Sequence, residues 1–132
     1  MQADHHDHPD PDAGPAPIDR EVLAQYRAID PAGGLGLAQH LVKIYIESSL
    51  PTLQQAEQAA ADGNAEVLRS TSHSLKSSSA SIGATTLSGL FRELEAMAKA
   101  GRMAEVGPVI GRTRAEYERA LVALRELLAE AP

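Results

Sequence analysis

From Ile18 onward, apolar residues recur along this chain at spacings of three and four, the period of a helix that buries one face. Asp19 is placed to cap a short helix over 20 to about 28, with Glu21 in its first turn. The run Asp30-Pro31-Ala32-Gly33-Gly34 breaks it. A long helix is expected over about 35–61, with Leu37, Leu41, Ile44, Tyr45, Leu53, Ala56 and Ala60 inward. Pro51 lies inside it, removes one backbone donor, and is expected to kink it near 47–50. Asp62-Gly63-Asn64 ends that helix, and Asn64 caps a third over about 65–81. The stripe Leu68, Leu75 and Ile82 marks the inner face of the third helix, and Gly83 marks a turn. A fourth helix over about 85–100 turns Leu87, Leu90, Phe91, Leu94, Met97 and Ala98 inward, with Gly101 just past its end. The last helix, over about 104–130, carries Val106, Val109, Ile110, Thr113, Tyr117, Leu121, Leu124 and Leu128. Gly107 and Pro108 weaken its first turns. Nothing resembles a strand pair, so the chain reads as all-α. Its short connections make neighbouring helices antiparallel.

Residues 1–17 read differently. They hold Pro9, Pro11, Pro15 and Pro17 with Asp4, Asp7, Asp10 and Asp12, and show no apolar period. A disordered leader followed by one domain over 18–132 is the expectation for 132 residues. His5, His6 and His8 lie among those aspartates. A flexible tail has nothing behind its ligands to hold them on a metal, so a solvated polar segment is expected there. There is no cysteine, hence no disulfide and no thiolate metal site. The formal net charge of −6 argues against nucleic acid as a partner. No apolar run approaches the roughly 18 residues of a membrane span, and no signal-peptide core is present, so a cytoplasmic protein without membrane contact is expected. No Glu-x-x-His pair suggests a metal in the bundle. The absence of a Gly-rich phosphate loop argues against ATP use or kinase activity of its own.

The chemistry gathers on the third helix. At about 100° per residue, His73 falls roughly opposite the Leu68, Leu75 and Ile82 stripe, so a buried stripe puts the imidazole in water. Lys76 lies one turn along, and the small Ser70 and Ser77 flank the ring on the same face. Between 70 and 84, Lys76 is the one ionisable group besides His73. An isolated surface histidine is ordinarily just solvated. The conjunction of a cleared patch, a neighbouring ammonium and no acid suits a nucleophile that another macromolecule must reach.

The run His73-Ser74-Leu75-Lys76-Ser77-Ser78-Ser79, followed by Ile82-Gly83-Ala84, resembles the signature of histidine-containing phosphotransfer domains. Leu87, Leu90, Phe91, Leu94, Glu95 and Gly101 follow at that family's spacing. The likeness covers most of 18–130. It implies an antiparallel up-and-down four-helix bundle, here with a short extra N-terminal helix. It also implies a phosphorelay carrier that takes a phosphoryl group on His73 from a receiver-domain aspartate and passes it to another receiver. The partners implied are receiver domains of response regulators or of a hybrid histidine kinase. The receiver supplies Mg²⁺, and the chain itself needs no cofactor. A monomer is expected. Ser77 departs from the pattern, since the family most often has glycine there.

Reversal of the chain near Gly83 sets His73 opposite about 92–95. The resemblance implies a carboxylate or carboxamide near Glu95 that accepts a hydrogen bond from the ring, leaving Nε2 free. Lys99 would then add charge beside Lys76, whose role is phosphoryl stabilisation. An ordinary surface pair of Glu95 with Lys99 is the equal alternative. Arg69, Ser70, Ser77, Ala80 and Gly83 are the expected partner-binding surface. A bundle that docks receivers or a kinase without transferring phosphate is the competing function. His40, between Leu37 and Leu41, is expected to be a packed or surface residue only.

Overall fold

The computed structural model describes residues 15–30 and 36–130. The expectations for the leader over 1–14 and for the break at 31–34 lie outside those residues. The described chain forms five α-helices: α1 (Arg20–Ile29), α2 (Gly36–Asp62), α3 (Ala65–Ser81), α4 (Thr85–Lys99) and α5 (Val106–Ala129). A single 3₁₀ turn, Met103–Glu105, leads into α5. That turn moves the start of the last α-helix two residues past the sequence expectation. Helix α2 packs on α3, α3 on α4, α4 on α5, and α5 returns to α2, while α1 leans on α2. The fold is therefore an antiparallel four-helix bundle with an extra N-terminal helix. Among the described residues, no helix is long and apolar enough to cross a membrane.

Local chemistry sets the helix ends. Asn64 caps α3 by accepting the Val67 N–H at 3.1 Å, and Asp19 accepts the Glu21 N–H at 3.0 Å ahead of α1. At the end of α3 the Ala84 N–H donates to the Ser79 carbonyl and the Gly83 N–H to the Ala80 carbonyl, with Gly83 at φ 84°. This paired closure needs a left-handed residue, which glycine adopts without strain. The same bonds recur around Gly63 and Gly101. Helix α2 runs through Pro51, which sits exposed on its surface.

The core confirms three of the expected faces and corrects one. Leu68, Leu75 and Ile82 are buried, as are Leu87, Phe91, Leu94, Met97 and Ala98 on α4 and Val106, Val109, Tyr117 and Leu124 on α5. On α2 the buried positions are Ala38, Val42, Tyr45, Ser49, Leu53, Ala56 and Ala59. Of the expected Leu37, Leu41 and Ile44 stripe, Leu37 and Leu41 are only half-buried and Ile44 is turned outward, 46 % exposed. The cause is the breadth of the apolar arc on that half-helix: Leu37, Ala38, Leu41, Val42, Ile44, Tyr45 and Ile46 span about 200°, with Gln39, His40, Lys43 and Glu47 opposite, and the core meets the middle of the arc rather than its edge. Its true inner face is chosen by polar partners: the Tyr45 hydroxyl lies 2.8 Å from Ser79 Oγ on α3, and Ser49 Oγ lies 2.7 Å from the Tyr117 hydroxyl on α5. A buried hydroxyl left unpaired is costly, so these bonds favour this rotation of α2. Arg114 of α5 adds two hydrogen bonds to Glu57 of α2, at 2.9 and 2.8 Å.

The segment ahead of the bundle is tied down at several points. Ile18 and Leu23 enter the core. The Asp19 N–H donates to the Gly83 carbonyl at 2.7 Å, Tyr26 donates its hydroxyl to the Ser81 carbonyl at 2.6 Å, and Arg20 pairs with Glu130 near the end of α5.

Candidate functional site

Helix α3 presents two faces because its sequence does. Leucines at seven-residue spacing face inward, and His73, on the other side, has a side chain 61 % exposed. The ring stands at the seam with α4. Its Nδ1 lies 2.9 Å from Glu95 Oε2, and Lys76 Nζ donates to Glu95 Oε1 at 2.7 Å. Lys99 Nζ is 3.6 Å from Glu95 Oε2, one turn further along α4. The structure thus brings His73, Lys76, Glu95 and Lys99 together. Glu95 is not one half of a surface pair: its side chain is 7 % exposed and three basic groups converge on it.

The electrostatics give the ring a direction. Lys76's hydrogen bond, reinforced by His73, holds the Glu95 carboxyl down at about 2 against the opposing push of burial. At neutral pH Glu95 is therefore an anion that only accepts hydrogen bonds. Its partner atom Nδ1 must carry the proton, so the neutral ring keeps its lone pair on Nε2. Nδ1 faces the buried carboxylate, and the ring's opposite side is left to solvent. An exposed, oriented nitrogen nucleophile beside an ammonium is what the arrangement offers chemically.

The surrounding surface is small and polar. Ser70, Ser77 and Ala80 are exposed and Arg69 is half-buried. Gly83 does not belong with them. It is buried, and a Cβ there would lie 2.6 Å from the Asp19 carbonyl oxygen, so the chain itself covers it. Its expected place on the partner surface is corrected: the residue makes the α3–α4 turn and admits the N-terminal segment. His40 is exposed on α2. One contact escaped the sequence reading. Ser88 of α4 is buried and donates its hydroxyl to the Lys76 carbonyl at 2.8 Å. Its signal in the sequence is its place two turns before Glu95 on the same face of α4.

The Hpt domain family model matches residues 40–131. The crystal structure of histidine-containing phosphotransfer protein B from Pseudomonas aeruginosa is similar in fold, with a TM-score of 0.79 at 24 % identity, covering 90 % of this chain and 99 % of that one. No curated protein matches the chain. Because the family model takes in most of the sequence, from α2 to the end of α5, the chain belongs to the Hpt domain family.

Proposed function

We propose that this protein is a phosphorelay carrier whose phosphoryl acceptor is Nε2 of His73. The observation that carries the reading is the hydrogen bond between Nδ1 and the buried Glu95 carboxylate, which leaves Nε2 as the free lone pair. The donor is the aspartyl phosphate of a receiver domain. Nε2 attacks phosphorus in line, an N–P bond forms, and the P–O bond to the aspartate breaks. The aspartate leaves as a carboxylate with the bonding pair, and no proton need move. The ring, protonated at Nδ1 and now bonded to phosphorus, carries positive charge that Glu95 is placed to balance. Lys76, and Lys99 beyond it, supply cations near the transferred group. Passing the group onward to a second receiver is the same step in reverse.

The partners are receiver domains of response regulators or of a hybrid histidine kinase, which approach over Arg69, Ser70, Ser77 and Ala80. The receiver brings its own Mg²⁺ and acidic pocket. This chain contributes the nucleophile, its alignment and positive charge, and acts as a monomer in the cytoplasm without ATP. Incubation with a receiver charged by acetyl phosphate and Mg²⁺ tests the proposal. The expected result is an acid-labile, alkali-stable label on this chain. Tight receiver binding with no label would instead support a docking module.

A further inference from the structure

We propose that Ser88 is a positioning residue of this site, a polar pin that sets the register of α4 against α3 and so holds His73 and Lys76 over Glu95. The inference rests on the phosphotransfer reading and adds a residue to it. A helical serine ordinarily turns its hydroxyl back to the carbonyl of its own preceding turn. That carbonyl, Ala84's, receives the Ser88 N–H at 2.9 Å, while the Ser88 hydroxyl crosses to the Lys76 carbonyl on α3. The bond is partly buried, with Ser88 itself 5 % exposed, so water competes for it less than at an open surface.

Lys76 is consequently gripped by α4 at both ends, its carbonyl by Ser88 and its ammonium by Glu95. The two contacts lie where helix geometry sends them. Carbonyls point toward the C-terminus of α3, and side chains lean toward its N-terminus. Helix α4 runs antiparallel, so its earlier residue, Ser88, meets the carbonyl and its later one, Glu95, meets the ammonium. Two polar contacts separated along the axis resist sliding, and they add a directional constraint to the apolar packing of Leu87, Phe91 and Leu94. Sliding by a fraction of a turn would part His73 Nδ1 from Glu95 Oε2, now 2.9 Å apart. The proton could then move to Nε2 and block the nucleophile.

The test compares Ser88→Ala with Val109→Ala, a core truncation on α5 away from the α3–α4 seam. Nitrogen-15 NMR of the His73 ring at neutral pH reads the tautomer without any partner. Transfer from an acetyl phosphate-charged receiver reads the rate constant and the half-saturating receiver concentration. Wild type and Val109→Ala should show one tautomer, protonated on Nδ1. Ser88→Ala should show a mixture and a rate constant lower by about five-fold, the scale of one neutral hydrogen bond, at unchanged half-saturation. An unchanged tautomer in Ser88→Ala, or the same loss in Val109→Ala, overturns the pin. A wild type that takes no label overturns the phosphotransfer reading instead, and the ring measurement still decides the role of Ser88.

Discussion

An imidazole has two nitrogens, and which one is free decides where a phosphoryl group can go. Here the choice is made by one buried carboxylate that serves two donors on separate oxygens, His73 on Oε2 and Lys76 on Oε1. A carboxamide has a single acceptor oxygen, so Glu95→Gln can satisfy only one of them. That variant should keep the bundle folded, lower the rate constant for transfer, and show either a mixed His73 tautomer or a freed Lys76 in NMR spectra. The sign of the pH dependence follows from the lowered Glu95 value. The group ionises at about 2 in the folded protein against its ordinary 4.5. Its contribution to stability is therefore complete above about pH 5 and is lost as the pH falls toward 2. The stability advantage of wild type over Glu95→Gln, from denaturant titrations, should shrink through that window. An advantage that grows on acidification would mean that the ion pair is not what holds Glu95. Lys76→Ala should slow transfer or shorten the lifetime of phospho-His73 without unfolding the protein. Equal rates and lifetimes would remove Lys76 from the chemistry.

Helix α3 separates stability from function by face. Leu75 is 2 % exposed, and Leu75→Ala should cost roughly 2–5 kcal/mol in chemical denaturation through the cavity it leaves. Ser77 is exposed two residues away, and Ser77→Arg should change stability by less than about 1 kcal/mol while sharply reducing transfer from a receiver. The reverse pattern would mean that the faces have been exchanged. At the end of the helix, Gly83→Ala combines a positive φ with a Cβ only 2.6 Å from the Asp19 carbonyl oxygen. It should destabilise by about 1–3 kcal/mol or more, with the N-terminal segment displaced. These contrasts also explain what the sequence could reveal. The faces of α3 were legible because leucine and serine alternate sharply there. The first half of α2 is harder to read because its apolar arc, from Ile44 through Leu37, Leu41, Tyr45, Ala38 and Val42 to Ile46, is wider than one buried stripe, and the buried Tyr45–Ser79 and Ser49–Tyr117 bonds mark which part of it faces the core. Glu95 could be placed near His73 by counting from Gly83. Its burial could not, since that depends on how closely α4 approaches α3. Ser88 gives no sign by itself, because a helical serine ordinarily bonds within its own helix and the crossing to Lys76 depends on how α4 lies against α3.

On the scale of the whole molecule, an acidic protein carries no acidic residue in the turns of α3 from 70 onward that surround His73. The formal charge is −6, yet the stretch from 70 to 84 holds only His73 and Lys76 as ionisable groups, and Glu95 is covered by basic partners. Like charge would otherwise oppose both a phosphorylated partner and the phosphoryl product. The described residues form a rigid frame around that face: α2 to α5 close into a ring, and the segment before α2 is fastened to the α3–α4 turn and to α5. His73 stands outward on this frame, so in the proposed transfer its alignment comes from the bundle. The most direct test is to locate the phosphoryl group after incubation with a charged receiver, by phosphorus-31 and nitrogen-15 NMR on wild type and on His73→Gln. Phosphorus bonded to Nε2 of His73, with no label on an otherwise folded His73→Gln, is the expected result. Label that persists in His73→Gln, or that sits on Nδ1, would contradict the assignment.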